Sequence, residues 1–143
     1  MTRINAGIPP KKLTRKHRLA EHREIKRIPN VIKNGKANLD GIPERFSLGK
    51  GHVKFFYNKL SYLHARYVEI RTECEARGFS ITDYENAFLG LPDDLYGTWE
   101  PGAEDIRIIE ERIKSREEAA QAKVRKEEGG TVESSGMRRK AKG

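Results

Sequence analysis

Glu24 is a carboxylate on a helical face otherwise suited to burial, and a carboxylate held that way can move protons. With Glu24 at zero on a wheel of 100° per residue, Leu13, His17, Ala20, Glu21, Arg27, Ile28 and Val31 lie within about 60° of it. Burial would raise its pKa, and the neighbouring Arg23 and Arg27 would lower it. Glu24 is therefore either a proton shuttle or one half of an ion pair with Arg27, a turn away; spacing alone leaves both open. The second reactive group is the chain's own amine. Thr2 is small, so Met1 can be removed. The α-amine so exposed has a reference pKa of ~7.7–8.0, against ~10.4 for lysine. A fraction of it is neutral near pH 7 and can attack sugar or carbonyl carbons to leave an imine. Every chain has a terminus, so its type alone does not single out Thr2.

Other chemistries find little support. His17 and Glu21, at i and i+4, are two donors, too few for a metal site. The four histidines (17, 22, 52 and 64) and the single Cys74 show no tight ligand spacing. Gly49-Lys50-Gly51 lacks the frame of a phosphate-binding loop, and no serine sits in a nucleophile elbow. One cysteine rules out an intrachain disulfide, and its apolar helical neighbours suit a buried, inert thiol.

These groups must be carried by helices. Gly7, Pro9 and Pro10 keep residues 1–10 out of a helix, as an extended arm. The pattern predicts a helix over 11–33, ended or kinked by Pro29, with Lys12, Arg15, Arg18 and Lys26 facing solvent or a partner. Turn residues mark 34–50 as a loop. Val53, Phe56, Tyr57, Leu60, Leu63, Tyr67, Ile70 and Cys74 then follow 3–4 spacing, the central core helix, with Gly78 and Phe79 as its C-cap. Its aromatics (Phe55, Phe56, Tyr57, Tyr62, Tyr67) suit a core rather than a stacking platform. Residues 80–101 read as irregular, with Trp99 packing as a lid over the helices. A third helix is expected from about Gly102 to Lys126, with Ile106, Ile109, Ile113, Ala120 and Val124 as its apolar stripe. The fold class is all-α: a compact domain of three main helices over residues 1–126, followed by a disordered basic tail over 127–143.

Hydrophobic residues make up 36% and charged residues 35% of the 143, with a net charge of +8. Residues 1–77 hold 18 Lys and Arg against 7 Asp and Glu, whereas residues 78–143 hold 11 against 14. The N-terminal half therefore suits a polyanion, nucleic acid or an acidic membrane surface. No apolar run approaches the ~20 residues that span a bilayer, and the polar N-terminus shows no secretory signal. A cytoplasmic protein is expected.

Three blocks, in order, resemble one family. Met1-Thr2-Arg3-Ile4-Asn5 is similar to the start of pyrimidine dimer DNA glycosylases of the phage endonuclease V type. His17-Arg18-Leu19-Ala20-Glu21-His22-Arg23-Glu24-Ile25-Lys26-Arg27 resembles the family's His-x-x-Ala-Glu-x-Arg-Glu-x-x-Arg segment at every spacing. Gly49-Lys50-Gly51-His52-Val53-Lys54-Phe55-Phe56-Tyr57-Asn58-Lys59 resembles its Gly-x-Gly-His-Val-x-Phe-Phe-Tyr-x-Lys block, and Arg77-Gly78-Phe79 matches too. The resemblance runs over residues 1–5 and about 13–79 and fades through 91–116. It implies a compact all-α fold and a two-step reaction without metal or cofactor. The Thr2 amine would displace the damaged base and form an imine, Glu24 would stabilise the cation and move protons, and β-elimination would nick the strand. Arg3, His17, Arg23 and Arg27 match phosphate-gripping positions, and Arg112 and Arg116 resemble a further pair. The implied partner is double-stranded DNA with damaged or abasic sites, bound by a monomer and not by a membrane protein.

The sequence departs from this pattern by one extra residue between Asn5 and His17, by Lys16 for glutamine and by His22 for tyrosine. The family's closing aromatic segment has no counterpart, since no aromatic residue follows Trp99. Pyrimidine dimers, oxidised bases and abasic sites alone are all candidate substrates. The alternatives are a non-catalytic basic helical nucleic-acid-binding protein and a metal-dependent nuclease.

Overall fold

The computed structural model describes residues 2–135, with side chains described to residue 124. Its architecture is all-α, as the spacing predicts, and no strand occurs among the described residues. The chain divides into two compact units, residues 1–107 and 108–143.

In the first unit the predicted helix over 11–33 is two helices preceded by a 3-10 turn at Pro10–Lys12. Helix α1, Arg15–Glu24, starts after Thr14, whose side chain accepts from the His17 N–H, an N-cap bond. Helix α2, Arg27–Lys33, follows at once. Pro29 explains the break: it has no N–H for the Ile25 carbonyl, and its ring crowds that carbonyl. Arg18 departs from the solvent-facing prediction and is 1% exposed. Its guanidinium donates to Leu13 O and adds a second bond to Pro10 O, which also accepts from the Leu13 N–H.

The predicted central helix is also divided. Helix α3, His52–Phe55, and a 3-10 turn lead to Lys59, and helix α4 runs over Leu60–Ala76. The interruption arises because the segment around Tyr96 pairs with Lys59. Gly97 N–H donates to Asn58 O at 3.1 Å, and Tyr62 N–H donates to Gly97 O. A Cβ on Gly97 would collide with the Asn58 carbonyl oxygen, so this approach requires glycine. Leu60, Leu63, Tyr67, Ile70 and Cys74 are buried, as the spacing predicts. Gly78 (φ +85°) ends the helix, and Phe79 N–H returns to Cys74 O.

Phe55, Phe56 and Tyr67 are fully buried, while Tyr57 and Tyr62 are half-buried. Trp99 packs on part of this group and on Phe46: its ring centroid lies 5.0 Å from Phe55, 5.8 Å from Phe56, 5.2 Å from Tyr62 and 5.5 Å from Phe46. Burial pushes the Tyr62 phenol up to about 12. Helix α5, Ala103–Ser135, enters the second unit and runs past the predicted end at Lys126. Residues 136–143 of the predicted tail lie outside the described residues.

Candidate active site

The N-terminal arm packs into the first unit as core. Thr2, Ile4, Asn5, Ala6 and Ile8 are all buried. Its path turns at Asn5–Ile8, where Ile8 N–H donates to Asn5 O and Gly7 takes φ +78°. An added Cβ at Gly7 would stand 2.7 Å from an Ile106 side-chain carbon, so the arm passes where only glycine fits.

Buried polar groups tie the arm to three helices. Ile4 N–H donates to His52 Nε2 at 3.0 Å, and the other ring nitrogen of His52 is 2.7 Å from Ser47 O. A carbonyl only accepts, so Nδ1 carries the proton and Nε2 keeps the lone pair for Ile4. Asn5 Nδ2 donates to Glu21 Oε1 at 2.9 Å, reaching α1. From α4, Arg66 meets both oxygens of Glu21, at 2.8 and 3.1 Å, and donates to Ile8 O at 2.6 Å. Side-chain exposure is 3% for Arg66 and 0% for Glu21. An ion pair this dry persists because its hydrogen bonds are filled.

Glu24 lies one turn beyond Glu21 on α1. Its side chain is 15% exposed and lies 3.6 Å from the guanidinium of Arg23, itself 57% exposed. Its ion-pair partner among the described residues is thus Arg23 rather than the spacing candidate Arg27, which is exposed as the first residue of α2. His17 is half-buried at the start of α1, with Nδ1 2.7 Å from the Thr14 hydroxyl. Arg3 is half-buried, and its guanidinium donates to Thr2 O at 3.4 Å. Thr2, Arg3, His17, Arg23, Glu24 and Arg27 are thus carried by the arm, α1 and α2. Arg112 and Arg116, half-buried and exposed, stand one turn apart on α5 in the second unit.

A family model described as pyrimidine dimer DNA glycosylase matches residues 1–84. The chain belongs to the pyrimidine dimer DNA glycosylase family. The matched residues of the glycosylase include its arm and helices α1 to α4, hence every candidate site residue except Arg112 and Arg116. Membership makes DNA the substrate, in keeping with the basic N-terminal half. No helix among the described residues is long and apolar enough to cross a membrane.

The arm's anchors escaped the sequence reading, although two left a signal. Glu21 falls on the core-facing side of α1, and a buried carboxylate needs a cation. Arg66 occupies a core position between Leu63, Tyr67 and Ile70. Each residue of that pair makes sense only with the other. His22, also buried, lies between the rings of Tyr67 and Tyr84, 5.7 and 5.2 Å away. Burial, with Lys26 next, holds its pKa below the usual imidazole value.

Proposed function

We propose that this glycosylase is also an abasic-site lyase that works through an imine on the Thr2 amine, with Glu24 handling protons and no metal or cofactor. The single observation that carries this reading is the tether of the arm to α1 through Asn5 and Glu21. Thr2 lies three residues before Asn5, at most about 10 Å of extended backbone. Glu24 lies one turn after Glu21, about 5–6 Å away on the same helix. That tether supports one docking position for the sugar, against this part of α1, served by both groups.

Once Met1 is removed, the neutral Thr2 nitrogen attacks C1′ of the damaged nucleotide. The N-glycosidic bond breaks and its electron pair leaves with the base, which takes up the proton given off by the newly bonded nitrogen, so that nitrogen is neutral again and has its lone pair. Ring opening breaks the C1′–O4′ bond, O4′ is protonated, and nitrogen donates its pair to give a cationic imine. Ionised Glu24 interacts more strongly with that cation than with the neutral amine, the differential stabilisation that lowers a barrier. A base, again Glu24, then takes a C2′ proton; the electrons form the C2′–C3′ double bond and the 3′ phosphate leaves. Water hydrolyses the imine and frees the amine. Arg3, His17, Arg23 and Arg27 hold phosphates around the lesion, with Arg112 and Arg116 as a further pair. The substrate class is duplex DNA with cyclobutane pyrimidine dimers or abasic sites.

Borohydride trapping tests the reading. Incubation with ultraviolet-irradiated or abasic duplex, borohydride and a chelator is expected to give a covalent protein–DNA complex, and none when the terminus is acetylated. Trapping that persists with a blocked terminus would remove Thr2 from the mechanism. Salt-dependent binding without trapping or lesion preference would favour a non-catalytic DNA-binding protein.

A further inference from the structure

One carboxylate, Glu21, holds both ends of the turn that aims the arm. Its Oε1 accepts from Asn5, where the turn begins. Its partner Arg66 donates to the carbonyl of Ile8, where the turn closes. Asn5 is 3% exposed and lies between the apolar Ile4 and Ala6, both fully buried. Simple packing would be served by an apolar residue there. A buried amide instead accepts one register, because a shifted arm would leave it unpaired in a dry site.

We propose that Asn5 and Glu21 are positioning residues for the N-terminal amine, setting where Thr2 stands relative to the damaged sugar. The assignment rests on the reading of Thr2 as the nucleophile. Glu21 suits the role because it shares α1 with Glu24, so the anchor of the arm and the proton-handling carboxylate move as one body. An amine on a slack arm spends less time within reach of C1′, and misplacement of about 1 Å can cost about 100-fold in rate. Glu21 keeps Arg66 when Asn5 is truncated, so the register of the arm is loosened while the ion pair behind it remains.

The test measures single-turnover borohydride trapping on an abasic duplex with saturating protein, beside duplex affinity and thermal melting, for Asn5→Ala and Asn5→Ser. The expected result is trapping slowed about 10- to 100-fold, affinity within about threefold of wild type, and an unchanged pH midpoint, because the amine is misplaced and not re-ionised. Trapping within about twofold of wild type would overturn the assignment. So would a loss of rate matched by an equal loss of affinity. If Asn5→Ala does not fold, Asn5→Ser carries the comparison; failure of both to fold would make Asn5 structural and also overturn it. Wild-type protein that is not trapped at its terminus would instead overturn the nucleophile reading itself.

Discussion

Replacing Arg66 with methionine should destabilise the protein severely, and replacing Glu21 as well should restore much of the loss. Arg66 makes three hydrogen bonds of 2.6 to 3.1 Å while 3% exposed, and its partner Glu21 is fully buried. Without the guanidinium, Glu21 keeps the Asn5 amide as a donor, and the Ile8 carbonyl loses this donor. Breaking a buried pair from one side costs about 3–5 kcal/mol, since the remaining charge stays dry and uncompensated. For a chain of this size each kcal/mol moves Tm by roughly 3 °C or more, so a fall of about 10–15 °C is expected. Glu21→Leu with Arg66→Met removes both charges and should lie within about 1–2 kcal/mol of wild type. Urea unfolding followed by circular dichroism, run as a double-mutant cycle, should return a coupling above about 2 kcal/mol. Additivity within about 0.5 kcal/mol, or single variants melting within about 3 °C of wild type, would refute the claim that this pair anchors the arm.

Three other outcomes follow from the same geometry. Burial holds the His22 pKa below its ordinary 6.5, so at acid pH the unfolded chain takes up the proton first. Stability should therefore fall as pH drops below about 6.5, by at most about 1.4 kcal/mol per unit from this residue, and continue to fall until the folded imidazole titrates. His22→Phe should remove that part of the slope; equal slopes in the two proteins would exclude the contribution. Gly7→Ala combines a left-handed backbone with a contact against Ile106 and should cost about 2 kcal/mol or more, with slower trapping. An unchanged urea midpoint would contradict the tight passage of the arm. Glu24→Gln keeps shape and loses charge, and strand cleavage should fall about 100-fold or more while duplex affinity stays within a few-fold. Cleavage within about tenfold of wild type would take proton transfer away from Glu24.

Much of the fold was legible because helices announce themselves by period. The stripe from Leu60 to Cys74 and its Gly78 cap stand where 3–4 spacing puts them. The interruptions were less legible because their causes lie far along the chain. Nothing near Lys59 says that Gly97 will bind the Asn58 carbonyl, yet that contact divides α3 from α4. Arg18 departs from the helical wheel for a related reason. A wheel assumes that the helix continues, whereas the turn at Pro10–Lys12 offers carbonyls that draw the side chain inward. At the site, Thr2 and Glu24 followed from the resemblance together with the chemistry of an amine and a carboxylate. The anchors Asn5, Glu21, His52 and Arg66 are ordinary residues until tertiary contact pairs them. Proton placement on His52 is likewise visible only with Ser47 and Ile4 on either side of the ring.

The most direct measurement is mass spectrometry of peptides from the borohydride-reduced adduct formed on an abasic duplex. A sugar remnant on the amine of a peptide that begins at Thr2 is the predicted result. A remnant on any lysine, or an adduct on protein that retains Met1, would contradict the account.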